Sequence, residues 1–155
     1  MDGFEAQLND LLVSTYRSIE EIEEKMVKEA KSLNLSINEL HLLEAVGDDA
    51  EQGRTVSEIS ERAGLSLPTV TLAVNKLVQK GFVEKRKSAQ DGRMVHVTLT
   101  RHGRKANRAH QYFHRKMASA VASEMTQEEK AALVKGIEKL NSFLGRRLAA
   151  REKEV

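Results

Sequence analysis

One β-rich stretch interrupts a chain that otherwise reads as helix, and its position directly behind two closely spaced helices limits the folds open to it. Residues 55–80 carry a short amphipathic pattern, the tight turn Gly64-Leu65-Ser66, and a longer amphipathic pattern. Thr55 and Glu58 are spaced as a capping box, and Val56, Ile59 and Ala63 supply one apolar face. Gly64 suits the left-handed conformation that ends a helix. Ser66 caps the next helix and Pro68 is tolerated in its first turn. Val70, Val74, Leu77 and Val78 are expected to point inward, up to a stop at Gly81. Residues 82–87 then read as a strand, 88–92 as a polar turn and 93–99 as a return strand rich in β-branched residues. Helix, turn, helix, hairpin is a winged helix-turn-helix pattern, in which the second helix can enter a DNA major groove while the first braces it.

The flanks are helical. Phe4, Leu8, Leu11, Leu12, Ile19, Ile22 and Met26 recur at three and four residues across 4–32. Ser36 and Glu39 make a capping box for a shorter helix carrying Ile37, Leu40, Leu43 and Val46, followed by a loop at 47–53. Thr100 caps a long helix over 101–123. Thr126 and Glu129 form a third capping box for a helix reaching about residue 150, with Leu133, Ile137, Leu140, Leu144 and Leu148 on one face. The expected fold class is therefore mainly α with a small β-hairpin (all-α/α+β), a winged helix-turn-helix embedded in a helical dimerisation scaffold. The expected organisation is an N-terminal dimerisation helix at 1–34, a DNA-binding domain at 35–100 and C-terminal dimerisation helices at 101–155. The first and last helices have apolar stripes with no hairpin partner nearby in sequence, so interleaving with a twofold mate would bury them.

Charge separates the middle from the start. Residues 1–30 hold eight acids and three bases, a net of −5, whereas residues 76–105 hold nine bases and two acids, a net of +7. The whole chain has a formal charge of only +2. A basic segment this concentrated calls for an anionic partner of the middle alone, double-stranded DNA by this reading. No apolar run approaches 18 residues, so no membrane span or membrane partner is expected. The start lacks the basic and apolar pattern of a signal peptide, and zero cysteines fit a reducing compartment, so a cytoplasmic protein is expected. There is no nucleophile–base pair, phosphate-binding glycine loop or HExxH motif, which argues against an enzyme.

With one face of the second helix committed inward, Ser66, Pro68, Thr69, Thr71, Leu72, Asn75 and Lys76 are left for DNA, with Gln79 on the same outer face. Small hydroxyls, an amide and a lysine suit base edges and phosphates, and a leucine suits a thymine methyl. The hairpin adds Lys85, Arg86 and Lys87 on its first strand and Asp91 and Arg93 at its tip. An arginine there can enter a narrow minor groove, and Asp91 would orient it or cap the turn. A winged-helix module that binds another protein is the alternative.

Helix-turn-helix, then Asp91-Gly92-Arg93, then Val97-Thr98-Leu99-Thr100 opening a long helix, resembles the MarR family of bacterial transcription regulators. The resemblance covers nearly the whole chain. It implies a homodimeric, ligand-responsive repressor on a near-palindromic operator, with Arg93 in a minor groove and the Ser66 helix in the major groove. LSINELHLLEAVG (35–47) and HQYFHRKM (110–117) are further similar to the subgroup that represses fatty-acid synthesis genes in Gram-positive bacteria. That resemblance implies an acyl chain, carried on acyl carrier protein, as co-repressor, with His41, His110 and His114 near the effector cavity. From the residues themselves, Tyr16, Ile19, Leu40 and Phe113 could line such an apolar pocket with Leu43, or serve as plain core. No cofactor is required on this reading, only an apolar or acyl effector.

His110 and His114 are four apart and share a helix face, a spacing that can bind zinc. Glutamates of the first helix, or Glu39 and His41 on the second, could complete such a site. The chain is read as having no metal site, with His110 and His114 as the alternative, a zinc-responsive regulator of the same fold.

Overall fold

The computed structural model describes residues 3–29, 34–47, 52–87 and 94–151. Among the described residues, six helices and three strands follow in the order α1 (Gly3–Glu29), α2 (Ile37–Val46), β1 (Arg54–Thr55), α3 (Val56–Ala63), α4 (Leu67–Gln79), β2 (Val83–Lys87), β3 (Val95–Leu99), α5 (Arg101–Ser123) and α6 (Gln127–Arg151). The chain divides into two compact units, Met1–His110 and Gln111–Val155.

Local side-chain chemistry sets most of the boundaries in the first unit. Ser36 accepts from the Glu39 amide while the Glu39 carboxylate accepts from the Ser36 amide, so α2 starts with a complete capping box. Thr55 and Glu58 repeat the arrangement at α3. Gly64 ends α3 at φ 63°, ψ 30°, the left-handed conformation that costs glycine no Cβ clash. Ser66 caps α4, and Pro68 sits in its first turn, where no intrahelical donor is lost.

The three strands form one antiparallel sheet in the order β1-β3-β2. β2 and β3 are the expected hairpin, with Val83 opposite Leu99 and Lys87 opposite Val95. β1 is an addition to the sequence reading, which ends its loop there. Arg54 pairs with Val97 and Thr55 with His96.

The core fills the space between α2, α3, α4 and the inner face of the sheet. Leu42, Leu43, Val46, Ile59, Val70, Val74, Leu77, Val83, Val97 and Leu99 are all buried. Val78 is not among them. It is exposed, so the inward stripe of α4 is narrower than its sequence suggests.

Thr100 ties the sheet to α5. Its hydroxyl accepts from the Gly103 amide at 3.1 Å and donates to the Gly81 carbonyl at 2.7 Å. Thr100→Ala removes both bonds, and a lost cap of this type costs about 1–2 kcal/mol. A lower urea midpoint of that size, with an unchanged slope, is the expected result.

In the second unit, α6 opens with the third capping box, Thr126 with Glu129. Leu133, Ile137, Leu144 and Leu148 are exposed along α6, as are Phe4, Leu8, Leu11 and Leu12 along α1 in the first unit. Among the described residues, no helix is long and apolar enough to cross a membrane.

Candidate nucleic-acid interface

α4 presents the face its sequence leaves over. Pro68, Leu72, Asn75, Lys76 and Gln79 are exposed, and Leu72 is 72% exposed. The hydroxyls are more committed. Ser66 and Thr69 bond to each other at 2.8 Å within the cap. Thr71 is half-buried and donates back to the Leu67 carbonyl at 2.8 Å.

The wing strand and α4 are joined by a side-chain bond. Lys85 Nζ donates to Asn75 Oδ1 at 2.6 Å. Alternation along β2 places Val83, Lys85 and Lys87 on one face and Glu84 and Arg86 on the other. Arg86 pairs with Glu84 at 2.5 Å, so the three bases of β2 do not act as one patch. Asp91 and Arg93 lie outside the described residues.

A basic groove escaped the residue-by-residue sequence reading, which counted Arg101, Arg104 and Lys105 only as part of a segment's net charge. It is lined by Arg101, His102, Arg104, Lys105 and Arg108 along the first turns of α5. The spacing 101, 104, 105, 108 is a helical stripe, a signal present in the sequence. Arg104 also donates to the Leu99 carbonyl at 2.7 Å, which fixes one member of the groove.

The residues read as an effector pocket separate. Leu40 and His110 line a small apolar cavity of about 60 Å³ with Met26, Val27, Leu35, Ala106 and Ala109. Tyr16 is exposed and donates to Glu20 at 2.7 Å, which holds its hydroxyl above the ordinary pKa. Ile19 is half-buried. Phe113 and His114, half-buried in the second unit, stack edge-on at 5.3 Å.

His41 and His110 meet a carboxylate. Glu23 of α1 is buried, and its Oε1 stands 3.4 Å from His41 Nε2 and 3.7 Å from His110 Nε2. The His110 ring is buried and turns Nδ1 toward Glu44 Oε2 at 3.6 Å. Glu39 is occupied elsewhere. It holds Lys80 at 2.8 Å and caps α2. Burial pushes its carboxyl up, but Lys80 and the Ser36 amide pull harder, and the net shift is downward.

A braced helix with an exposed polar face, a wing strand bonded to it and a basic groove define a winged helix-turn-helix protein of the nucleic-acid-binding class. The model of the MarR family matches residues 33–94. The chain is 30% identical over 129 residues to the HTH-type transcriptional regulator YfiV of Bacillus subtilis, covering 83% of this chain and 76% of that one. With YhjH of the same organism it shares 27% over 113 residues, 71% of this chain, and it spans only 63% of that relative's length. Among solved structures it is similar to Streptococcus pneumoniae FabT in complex with DNA, with 33% identity, a TM-score of 0.85 and coverage of 92% of this chain and 98% of the other. The chain belongs to the MarR family of transcriptional regulators. Its relatives are regulators, not enzymes, in agreement with the absence of catalytic motifs from the sequence.

Proposed function

We propose that this DNA-binding transcriptional regulator acts as a homodimeric repressor on a near-palindromic operator. The observation that carries the reading is the exposed face of α4, with Leu72, Asn75 and Lys76 outward and Lys85 of the wing bonded to Asn75. A face of this kind reads base edges in a major groove. The exposed apolar stripes of α1 and α6 support a second copy as their cover, because stripes this long seldom face water in a monomer. The segments 1–34, 35–100 and 101–155 then serve as dimerisation helix, DNA-binding domain and dimerisation helices. Two half-sites about 34 Å apart follow from twofold symmetry.

Fragmented genomic DNA from the source organism, captured at near-physiological salt and sequenced, tests this. Enrichment of a palindrome with half-sites one turn apart is expected, and uniform retention of all sequences overturns it. Arg93, matched to the family's wing motif, is assigned the minor groove. Arg93→Ala should weaken operator binding at least about tenfold, each such contact being worth about 1–3 kcal/mol, without changing the urea midpoint. Undiminished affinity in that variant would remove the wing from the interface.

The fatty-acid reading rests on the resemblance of residues 35–47 and 110–117 and on the likeness to FabT. An acyl chain delivered by acyl carrier protein, or a small apolar ligand, would enter the cavity beside Leu40 and His110. At about 60 Å³ that cavity is far below the roughly 300 Å³ of an ordinary ligand site, so occupancy requires α1 or α5 to shift. Lipid-synthesis genes next to the captured operator are the expected finding.

A further inference from the structure

Lys85 leaves β2 on the same side as Val83, which is buried in the core shared with α4. Two residues nearer the tip of the hairpin that core has ended, so Lys85 is exposed and its side chain reaches across to α4 instead. There its Nζ lies 2.6 Å from Asn75 Oδ1. An ammonium group only donates, so chemistry fixes which end of the amide it holds. The oxygen faces the cation, and the Nδ2 group keeps its two donors. The hydroxyls of the same helix are already spent, Ser66 and Thr69 on each other and Thr71 on the Leu67 carbonyl.

We propose that Asn75 and Lys85 together read a guanine of the operator, the wing lysine diverting Asn75 from the adenine that a lone asparagine recognises. A lone asparagine takes adenine by a bidentate pair, Nδ2 donating to N7 and Oδ1 accepting from the N6 amino group. Here a cation already stands on Oδ1, and N6 would bring a second donor to the same oxygen beside a positive charge. Guanine offers N7 and O6 at that edge, both acceptors. Asn75 Nδ2 and the remaining Nζ hydrogens of Lys85 meet them with donors alone. Cytosine presents its N4 donor and is refused as adenine is, and thymine supplies one acceptor, O4, where guanine supplies two.

Leu72 supplies the register. It is exposed one turn before Asn75, and residues three apart on a helix stand about 5–6 Å from each other at Cβ. The C5 methyl of thymine is the apolar group that a major groove offers such a side chain. The half-site therefore carries a thymine within one or two base pairs of the guanine. Because the Lys85–Asn75 bond joins β2 to α4, base preference also depends on where the hairpin sits against the helix. The assignment rests on the repressor reading, in which α4 enters the major groove. It differs from the role that charge alone gives Lys85, a phosphate contact, which carries no sequence information.

The test is anisotropy of the full chain on the captured operator duplex, with each base pair changed in turn in both half-sites. Wild type should show a G·C pair at which A·T weakens binding at least about fivefold, the lower end of what a good bidentate base contact is worth. In Lys85→Met that preference should shrink below about twofold or reverse toward adenine, while preferences at other positions stay as they were. Asn75→Ala should lose the preference at the same pair. A 7-deazaguanine there, which lacks the N7 acceptor, should weaken wild type and leave Asn75→Ala unaffected. Uracil in place of the neighbouring thymine removes the methyl group and should weaken wild type but not Leu72→Ala. Asn75 and Lys85 are both exposed, so urea midpoints of their variants should match wild type. Uniform weakening of every duplex by Lys85→Met, with the salt slope about one unit shallower and the guanine preference intact, makes Lys85 a phosphate contact and overturns the proposal. An adenine preference in wild type at the pair that responds to Asn75→Ala overturns it equally. A uracil effect that persists in Leu72→Ala overturns the placement of the thymine. Uniform retention of all sequences by wild type overturns the repressor reading itself, and the base assignment falls with it.

Discussion

Gly103→Ala is expected to destabilise the winged helix by about 3 kcal/mol or more, although alanine is the better helix former by about 1 kcal/mol. The reason is the crossing of α5 over the end of the hairpin. A Cβ at position 103 would lie 2.0 Å from the Phe82 carbonyl oxygen and 3.0 Å from its carbon. The obstacle is backbone, and that backbone is pinned. The Phe82 amide donates to Leu77 O at 2.9 Å, and the Phe82 carbonyl accepts from the Thr100 amide at 3.0 Å. Room for the methyl group means moving α5 away from β2 or breaking the Thr100 cap, and either opens the core around Leu99 and Ala106. Gly145→Ala on α6, where nothing lies within 4 Å of the added Cβ, isolates the propensity effect and should be neutral or stabilising. Urea midpoints of the two variants at equal protein concentration decide the matter. Equal midpoints would mean that α5 does not press on Phe82.

Position 103 also marks the boundary between what the sequence discloses and what it hides. The three capping boxes, the Gly64 stop and the Thr100 cap are read correctly because each is a bond between neighbours in the chain. The hairpin is legible for the same reason, since β2 and β3 are consecutive strands close together in the sequence. β1 is not. Two residues carry no periodicity, and Arg54 and Thr55 become a strand only because Val97 and His96, more than 40 positions away, supply its partners. Val78 breaks the inward stripe for a similar reason, because burial depends on what packs opposite it. Where His41 and His110 meet Glu23, the sequence discloses the histidines as candidates. It gives no way to choose Glu23 from the eight acids of residues 1–30, or to see that Glu39 is committed to Lys80. Tertiary packing makes both choices.

The Glu39–Lys80 pair is the second place where a single substitution should have a large effect, and its effect should depend on pH. Lys80 Nζ lies 2.8 Å from both carboxylate oxygens and also donates to the Asn34 carbonyl. Lys80→Met leaves Glu39 buried without its cation, a change that costs about 3 kcal/mol at neutral pH. Glu39→Gln should cost less. Its amide oxygen still accepts from the Ser36 amide, and the Lys80 side chain left behind is 24% exposed, so its ammonium group can turn to water. The sign of the pH dependence follows from the folded carboxyl, which titrates below its ordinary value of 4.5. A depressed folded pKa contributes stability above the unfolded value, and that contribution is lost as pH falls through the folded one. Without Lys80, burial dominates and the folded pKa rises, so Lys80→Met gains relative stability as Glu39 takes up its proton. The deficit of Lys80→Met against wild type should therefore be largest at pH 7 and shrink toward pH 4. Urea midpoints at the two pH values measure it. A deficit that stays constant with pH would assign Lys80 a packing role. A vanishing deficit at pH 7 would show that the pair holds nothing together. Because Lys80 closes α4, the same variant at pH 7 should also bind the operator more weakly than its residual folded fraction explains, and anisotropy measured on fully folded protein separates the two effects.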